Sequence, residues 1–385
     1  MYHIKLLNNI SKNGLSHLDP ACIVSEDAAA NAIIVRSADM HSYEMNPELY
    51  AIARAGAGYN NIPVEQCAEA GICVFNTPGA NANAVRELVL CALLLSSRRI
   101  VEAIDWCKEL KGDPDALKKV EKGKSQFVGP EIAGKTLGVI GLGKVGGLAA
   151  NAAVDLGMNV LGFDPYLSLD NAWSLARRIK RAASYDEIFA NCDYITIHAP
   201  LTDETKDLIN AESIAKMRDG VRIINLARGG LVNNDAIKAA LASGKVAKYV
   251  TDFPTGDIIG TENVIAMPHL GASTPESEEN CAVMAAEEIS DFLLNGNTAN
   301  SVNFPNLVQP RSTKYRITVL HRNVPNMISA VSGAIGNAGI NIEHMYNRSR
   351  GEYAYMMCDT NTEPTPECIK NLNAIDGAIR VRVID

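Results

Sequence analysis

No two cysteines in this 385-residue chain stand three residues apart, so there is no CxxC pair, and the nine thiols make an odd count. Both features argue against a disulfide framework. Cys73 in GICVF and Cys91 in LVLCALLL lie in apolar runs, as buried free thiols of a reducing cytoplasm do. The seven histidines form no HxxxH or Cys/His cluster, so no metal site is expected. Apolar runs are short: the longest, residues 88–95, has eight residues, against the roughly 20 that span a membrane. The opening MYHIKLLNNISKNG lacks the apolar stretch of a secretory signal. There is no long basic run either, and the net charge is −8. Neither nucleic acid nor a membrane surface is therefore an expected partner, since both call for a positive face.

What the chain does have is length and alternation. Its size predicts two or three domains, and 47% hydrophobic residues can fill their cores. Short apolar runs (HIKLLN, AIIVRS, YAIARAG, ICVFNTP) alternate with helix-period segments, the pattern of parallel βα units. A buried helix, NANAVRELVLCALLLSSRRI, and a charged surface connection, WCKELKGDPDALKKVEKGKSQFVG, follow. A second series then runs TLGVIG, NVLGFD, YITIHA, RIINLA, AKYVTDF and VIAMPH. After it, LGASTPESEENCAVMAAEEISDFLLNG reads as one long helix with an acidic first turn. NTANSVNFPNLVQPRST has no period and reads as a linker, and residues 314–385 restart as β-α-β-β-α-β, a ferredoxin-like arrangement.

Gly141-Leu-Gly-Lys-Val-Gly146 follows the run TLGVI and opens a helix. A GxGxxG alone is weak, but the next strand ends in Asp164, near the spacing of a dinucleotide fingerprint. Gly141, Gly143 and Gly146 let a pyrophosphate approach the backbone at a helix N-terminus. Asp164 can accept from the ribose hydroxyls, and its charge repels a 2′-phosphate, so NAD is expected rather than NADP.

Arg228 follows the strand of INLARGGLV, Asp252 and Asp257 follow the next strand in VTDFPTGD, and His269 follows the one after in MPHLGAST. Each has a plain reading alone. Together they stand at the sheet edge where ligands of open α/β folds bind. Oxidation of a 2-hydroxy acid needs a base for the hydroxyl proton, which a histidine can supply. It also needs a carboxylate to orient that imidazole and an arginine for the substrate carboxylate. Asp252, nearer the strand, is expected to face the nicotinamide end of the cofactor, and Asp257 to face His269.

GLGKVG, HAPLTDETKDLIN, INLARGGLV and PHLGAST together resemble the D-isomer-specific 2-hydroxyacid dehydrogenases, nearest the branch that oxidises D-3-phosphoglycerate in serine synthesis. The resemblance implies Arg228 as a substrate ligand, Asp252 as a cofactor contact and His269 as the acid/base. It also implies Ala57, Lys144, Val145, Pro200 and Leu226 along the NAD cleft. The family has glutamate as the histidine's partner, where this chain offers Asp257 or, after a one-residue slip, Gly256. Arg36-Ser37 resembles that branch's phosphate grip, with Arg54 and Asn81 as further substrate contacts.

The implied organisation is α/β throughout, with two doubly wound parallel-sheet domains. A flavodoxin-like substrate domain (1–96 and 272–300) accompanies a Rossmann NAD domain (97–271), a linker (301–313) and a ferredoxin-like module (314–385). That module resembles an ACT domain, a fold that binds amino acids, with His321, Asn323 and Asn341 at the positions that contact L-serine. Asn326 stands where a glycine is usual. A cytoplasmic homodimer or homotetramer is expected. Two rival readings share the fold. A dehydrogenase of another 2-hydroxy acid is opposed by Arg36-Ser37 and the C-terminal module, and a non-catalytic NAD sensor by the acid/base set.

Overall fold

The first apolar series forms a five-stranded, all-parallel sheet in the order Cys22–Val24, Tyr2–Leu6, Ala32–Val35, Ala51–Arg54, Cys73–Asn76. The strand Ala32–Val35 is buried at every position, as suits a strand covered on both faces. The computed structural model describes residues 1–26 and 29–385. Its contacts divide the chain into two compact units: Met1–Asn81 with Pro275–Asp385, and Ala82–Thr274. The helix Ala82–Ser97, expected to end the substrate domain, thus belongs to the second unit. Cys22–Val24 is a strand that periodicity missed, being three residues long at the sheet edge.

The long helix Pro275–Asn295 begins at the proline, with Glu276 and Glu278 in its first turn. There proline's missing N–H costs nothing and acid complements the helix dipole. Its inner face, including Ala282, Ala285, Ile289 and Phe292, packs on Ile4, Ile34, Ala53 and Phe75. At the other end, arginines of the C-terminal segment donate to the last carbonyls of the helix, which a helix terminus leaves short of backbone partners. Arg382 donates to Phe292 and Leu293 (3.5 and 2.9 Å), Arg311 to Leu294 (3.2 Å), and Arg316 to Asn295 (2.8 Å).

The C-terminal residues form a four-stranded antiparallel sheet in the order Ile342–Arg350, Tyr353–Thr360, Tyr315–Arg322, Ala378–Ile384. One face (Ile317, Val319, Met356, Cys358) packs with Val331, Ile335 and Leu372 of the helices Met327–Asn337 and Pro366–Asn373. The alternating residues Leu320, Tyr353, Tyr355 and Met357 enter the same core as Phe75, Phe292 and Phe304. The module is therefore built into the first unit, and part of the segment expected to be a linker is buried in it. Thr298 and Phe304 are fully buried, and Asn303 pairs with the backbone of Ile72 and Val74 (2.8 and 2.9 Å). An edge strand needs such cover, and polar residues without a period can supply it. Asn326 adopts φ +67°, a left-handed turn that asparagine tolerates.

Glu288, within the long helix, is also buried. Its Oε1 accepts from Asn300 (2.7 Å), its Oε2 has no partner among the described residues, and burial pushes its carboxyl up to about 8. The folded state then binds a proton that the unfolded state has released, so stability falls as pH rises from the ordinary glutamate range to about 8. Glu288→Gln is expected to flatten that decline and raise Tm at pH 8 by a few degrees. Thermal scans across pH 5–9 read the difference.

The second unit carries a seven-stranded, all-parallel sheet in the order Val264–Ala266, Val246–Thr251, Val221–Asn225, Tyr194–Ile197, Thr136–Ile140, Asn159–Phe163, Lys180–Arg181. The chain reverses its direction of winding on either side of Thr136–Ile140, the switch point at which such sheets bind ligands. Small residues of the helix Lys144–Asp155 (Ala149, Ala150, Ala153) lie against Val89, Ala92 and Leu93. The helix Ile100–Glu109 runs into the charged connection and the helix Ala116–Gly123 lies within it; neither buries a residue.

Candidate active site

Because every strand of the second sheet is parallel, its carboxyl ends share one edge. Along that edge, in strand order, stand His269, Asp252, Arg228, His198, Gly141 and Asp164. Neighbouring strands lie about 4.8 Å apart, so residues as far apart in sequence as Gly141 and His269 belong to a continuous row of strand ends.

Gly141 has φ +87°, and a Cβ on Gly146 would lie 1.9 Å from the Gly141 carbonyl oxygen. A Cβ on Gly143 would meet nothing within 4 Å. The helix Lys144–Asp155 starts there with no side-chain cap, which leaves its first amides for a ligand. Lys144 is exposed and Val145 half-buried on its first turn. Asp164 is held in place, its two oxygens accepting from Leu142 and Tyr166 N–H groups at 2.8 Å each. A cavity of about 720 Å³ opens here, lined by Gly141, Gly143, Asp164, Tyr166, His198 and Pro200. Gly146→Ala is expected to force the loop open and weaken NADH binding by more than about tenfold with the helix content retained. Fluorescence titration and circular dichroism measure the two.

His198 is a site residue that the sequence reading passed over, although HAPLTDE places it just past a strand. Its Nε2 lies 3.0 Å from Thr196 Oγ1, and burial pushes its imidazole down to about 4, so it is neutral at neutral pH. Leu226, expected along the cleft, is instead a core residue, 6% exposed.

Arg228 is half-buried, with Nη1 donating to the Ala227 carbonyl (2.7 Å). The buried Asn225 braces its loop, donating to the Arg228 carbonyl (2.9 Å) and accepting from Ala227 N–H (3.2 Å). His269 is exposed, and its ring rests on Phe253 with centroids 4.4 Å apart.

Asp257, expected to face His269, is bonded elsewhere. Asp257 is exposed and accepts from Thr255 Oγ1 (2.6 Å), Lys238 Nζ (3.0 Å) and Asn234 Nδ2 (3.2 Å). The Thr255 bond and then Lys238 hold its carboxyl down at about 2. An aspartate on that turn is short and is captured by the helix Asn234–Ala242, which carries Lys238. The carboxylate coupled to His269 is Asp252. It is 1% exposed, Oδ2 accepts from Gly271 N–H (3.3 Å), and Oδ1 has no partner among the described residues. Burial raises its pKa, and His269 works against that rise.

In the first unit, Asn8 Oδ1 accepts from the N–H groups of Arg36, Ser37 and Ala38 (2.9, 2.9 and 3.1 Å). Arg54 Nε donates to the Arg36 carbonyl (3.0 Å). Arg36 itself pairs with Glu278 at 2.6 Å. Ala57 accepts from Asn76 Nδ2 (2.5 Å), and Asn81 is half-buried in the turn that closes this unit's N-terminal part. In the C-terminal sheet, His321 is buried with both ring nitrogens engaged, by the Arg322 carbonyl (2.7 Å) and Asn347 (3.0 Å). Asn323 donates to Gly351 (3.0 Å). Asn341 precedes the strand whose Ile342 pairs with Thr360, opposite Tyr315, so it lies at the other end of the sheet from His321. The three residues do not meet within one chain.

A dinucleotide fits this edge on three counts: the open approach at Gly143, the uncapped helix start, and the unpartnered buried oxygen of Asp252. Gly141, Gly143, Gly146 and Asp164 would hold its pyrophosphate and ribose.

Comparison with known proteins agrees with the geometry. Residues 90–271 match the model of the D-isomer specific 2-hydroxyacid dehydrogenase NAD-binding domain. The chain is 37% identical over 317 residues to the D-3-phosphoglycerate dehydrogenase of Synechocystis sp., with 79% of this chain and 54% of that protein covered. It is 32% identical over 357 residues to the enzyme of that name from Haemophilus influenzae, with 89% of this chain and 82% of that protein covered. The chain thus spans about half the length of the first of these relatives and most of the second. Among solved structures, NAD-bound 3-phosphoglycerate dehydrogenase of Entamoeba histolytica superposes with a TM-score of 0.57 at 27% identity, over 80% of this chain and 99% of that one. With one relative matched along four-fifths of its length and NAD as the cofactor of the matched domain, the chain belongs to the D-isomer specific 2-hydroxyacid dehydrogenases.

Proposed function

We propose that this protein oxidises D-3-phosphoglycerate to 3-phosphohydroxypyruvate with NAD, the first step of L-serine synthesis. NAD, when bound, supplies the acceptor for the hydride that leaves C2. His269 takes the C2 hydroxyl proton, Arg228 grips the substrate carboxylate, and Asp252 stabilises the imidazolium that forms. Arg36, Ser37 and Arg54 take the phosphate. The observation that carries this reading is the alignment of Arg228, Asp252 and His269 on three adjacent strand ends of the NAD-binding domain.

Asp257 has no part in this proposal as the partner of His269. An assembly of two or four copies belongs to the reading, supported by Ile104, Leu117 and Val128, which are 52%, 80% and 76% exposed. Because Asn341 and His321 lie at opposite ends of one sheet, a serine site formed from them needs two copies of the module.

NADH formation with D-3-phosphoglycerate, D-glycerate and D-lactate in parallel tests the reading. The phosphorylated acid is expected to give a kcat/KM at least about 100-fold above the others, as a site built around a charged group discriminates against ligands that lack it. Equal rates on all three acids overturn the substrate, and no turnover of any of them overturns the activity.

A further inference from the structure

We propose that Glu278 is an internal counter-ion of the anion-binding arginine Arg36, and that it sets how strongly this site takes a phosphate group relative to an uncharged one. Glu278 stands in the first turn of the helix Pro275–Asn295, and its Oε1 lies 2.6 Å from Arg36 Nη2 across 242 positions of sequence. The two side chains are 44% and 38% exposed, so a ligand from solvent can reach the pair. The rest of the site is braced. Asn8 holds three successive amides of the Arg36 loop, and Arg54 holds the Arg36 carbonyl. Arg54 is packed so closely over Gly56 that a Cβ there would lie 1.6 Å from its Nη1. Both guanidinium charges also act on the same buried thiol, Cys281, one turn along the helix from Glu278.

The backbone around Arg36 is fixed, so the exposed side-chain pair Arg36–Glu278 is the part of the site that can open. An arriving dianion competes with that carboxylate for the Arg36 guanidinium and is repelled by it, whereas a neutral hydroxymethyl group meets neither effect. Glu278 thereby lowers affinity for the phosphorylated ligand selectively, and the paired state keeps Arg36 from holding stray anions. This inference rests on the assignment of Arg36 to phosphate, and the experiment separates the two.

Inorganic phosphate is titrated calorimetrically into the NADH-saturated full chain as wild type, Glu278→Gln, Arg36→Ala and the double variant. Glu278→Gln is expected to bind phosphate about three- to tenfold tighter, with a weaker dependence on salt, and the gain is expected to vanish when Arg36 is also replaced. The KM ratio of D-3-phosphoglycerate to D-glycerate should fall by a similar factor. Equal phosphate affinity in wild type and Glu278→Gln, or a gain that survives Arg36→Ala, overturns the counter-ion role. If the phosphate results hold and D-3-phosphoglycerate is still not oxidised, the substrate assignment falls and the counter-ion stands.

Discussion

Asp252→Asn is expected to lower kcat by about 100- to 1,000-fold, while Asp257→Asn stays within about twofold of the wild type. The contrast follows from where the two carboxylates lie. Asp252 is buried and electrostatically coupled to His269, and its Oδ2 accepts from Gly271 on the loop that follows the histidine. Replacing it by an amide removes the buried negative charge coupled to His269, so the pH profile of kcat/KM should change. Asp257, held down at about 2 by Thr255 and Lys238, does not change charge at working pH. Its replacement should leave the profile in place.

Stability should move in the opposite direction from activity. Burial raises the Asp252 pKa above its unfolded value. The folded state therefore holds more protons across that window, and stability falls as pH rises through it. Asp252→Asn removes this cost and is expected to raise the Tm of the cofactor-free protein at pH 7 by a few degrees. A variant both slower and less stable would mark Asp252 as a structural residue. Full activity in Asp252→Asn together with loss in Asp257→Asn would restore the assignment that Asp257 faces the imidazole.

The second large effect is expected at Arg316. Its guanidinium is fully buried and every donor is used: two bonds to Asp359 (2.6 and 2.9 Å), and others to Asn295 (2.8 Å), Gln309 (3.0 Å) and Pro310 (3.1 Å). It joins the end of the long helix, the segment that follows it and the C-terminal sheet. Arg316→Met leaves the Asp359 carboxylate buried and unpaired, and breaking a buried pair in this way costs about 3–5 kcal/mol. The urea midpoint should fall accordingly. Adding Asp359→Leu should recover much of the loss, because a buried ion pair replaced by apolar groups of similar volume is often near neutral. If Arg316→Met leaves the midpoint unchanged, the sheet is not anchored through this network.

Several features could be read before any coordinates, for local reasons. The run TLGVI, the three glycines and an acid at the next strand end each make demands on a few neighbouring residues, so Gly141, Gly146 and Asp164 announce their use. The helix after His269 announces its start through Ser-Thr-Pro and two acids. Strand ends carrying Arg228 and His269 follow from counting βα units, because in a parallel sheet all carboxyl ends face one way.

Other features had no local signal. The segment around Phe304 is rich in Asn, Pro and Ser, the composition of a linker, yet it covers a strand edge through Asn303, whose backbone partners Ile72 and Val74 lie 231 and 229 positions away. Alternation in YAYMMCDT shows two apolar faces without saying what the second one meets. The pair Arg36–Glu278 joins residues 242 positions apart in the chain.

Sequence by itself determined the parallel βα order, the dinucleotide turn and the long helix after His269, because these depend on backbone conformation and on periodicities of 2 and 3.6 within a few residues. Only the tertiary structure decided that Asp252 rather than Asp257 neighbours His269, that Arg316 is enclosed, and that the C-terminal sheet shares a core with the first. Side-chain partners across strands and helices depend on register and packing, and two aspartates five positions apart in sequence look alike until the elements around them are in place.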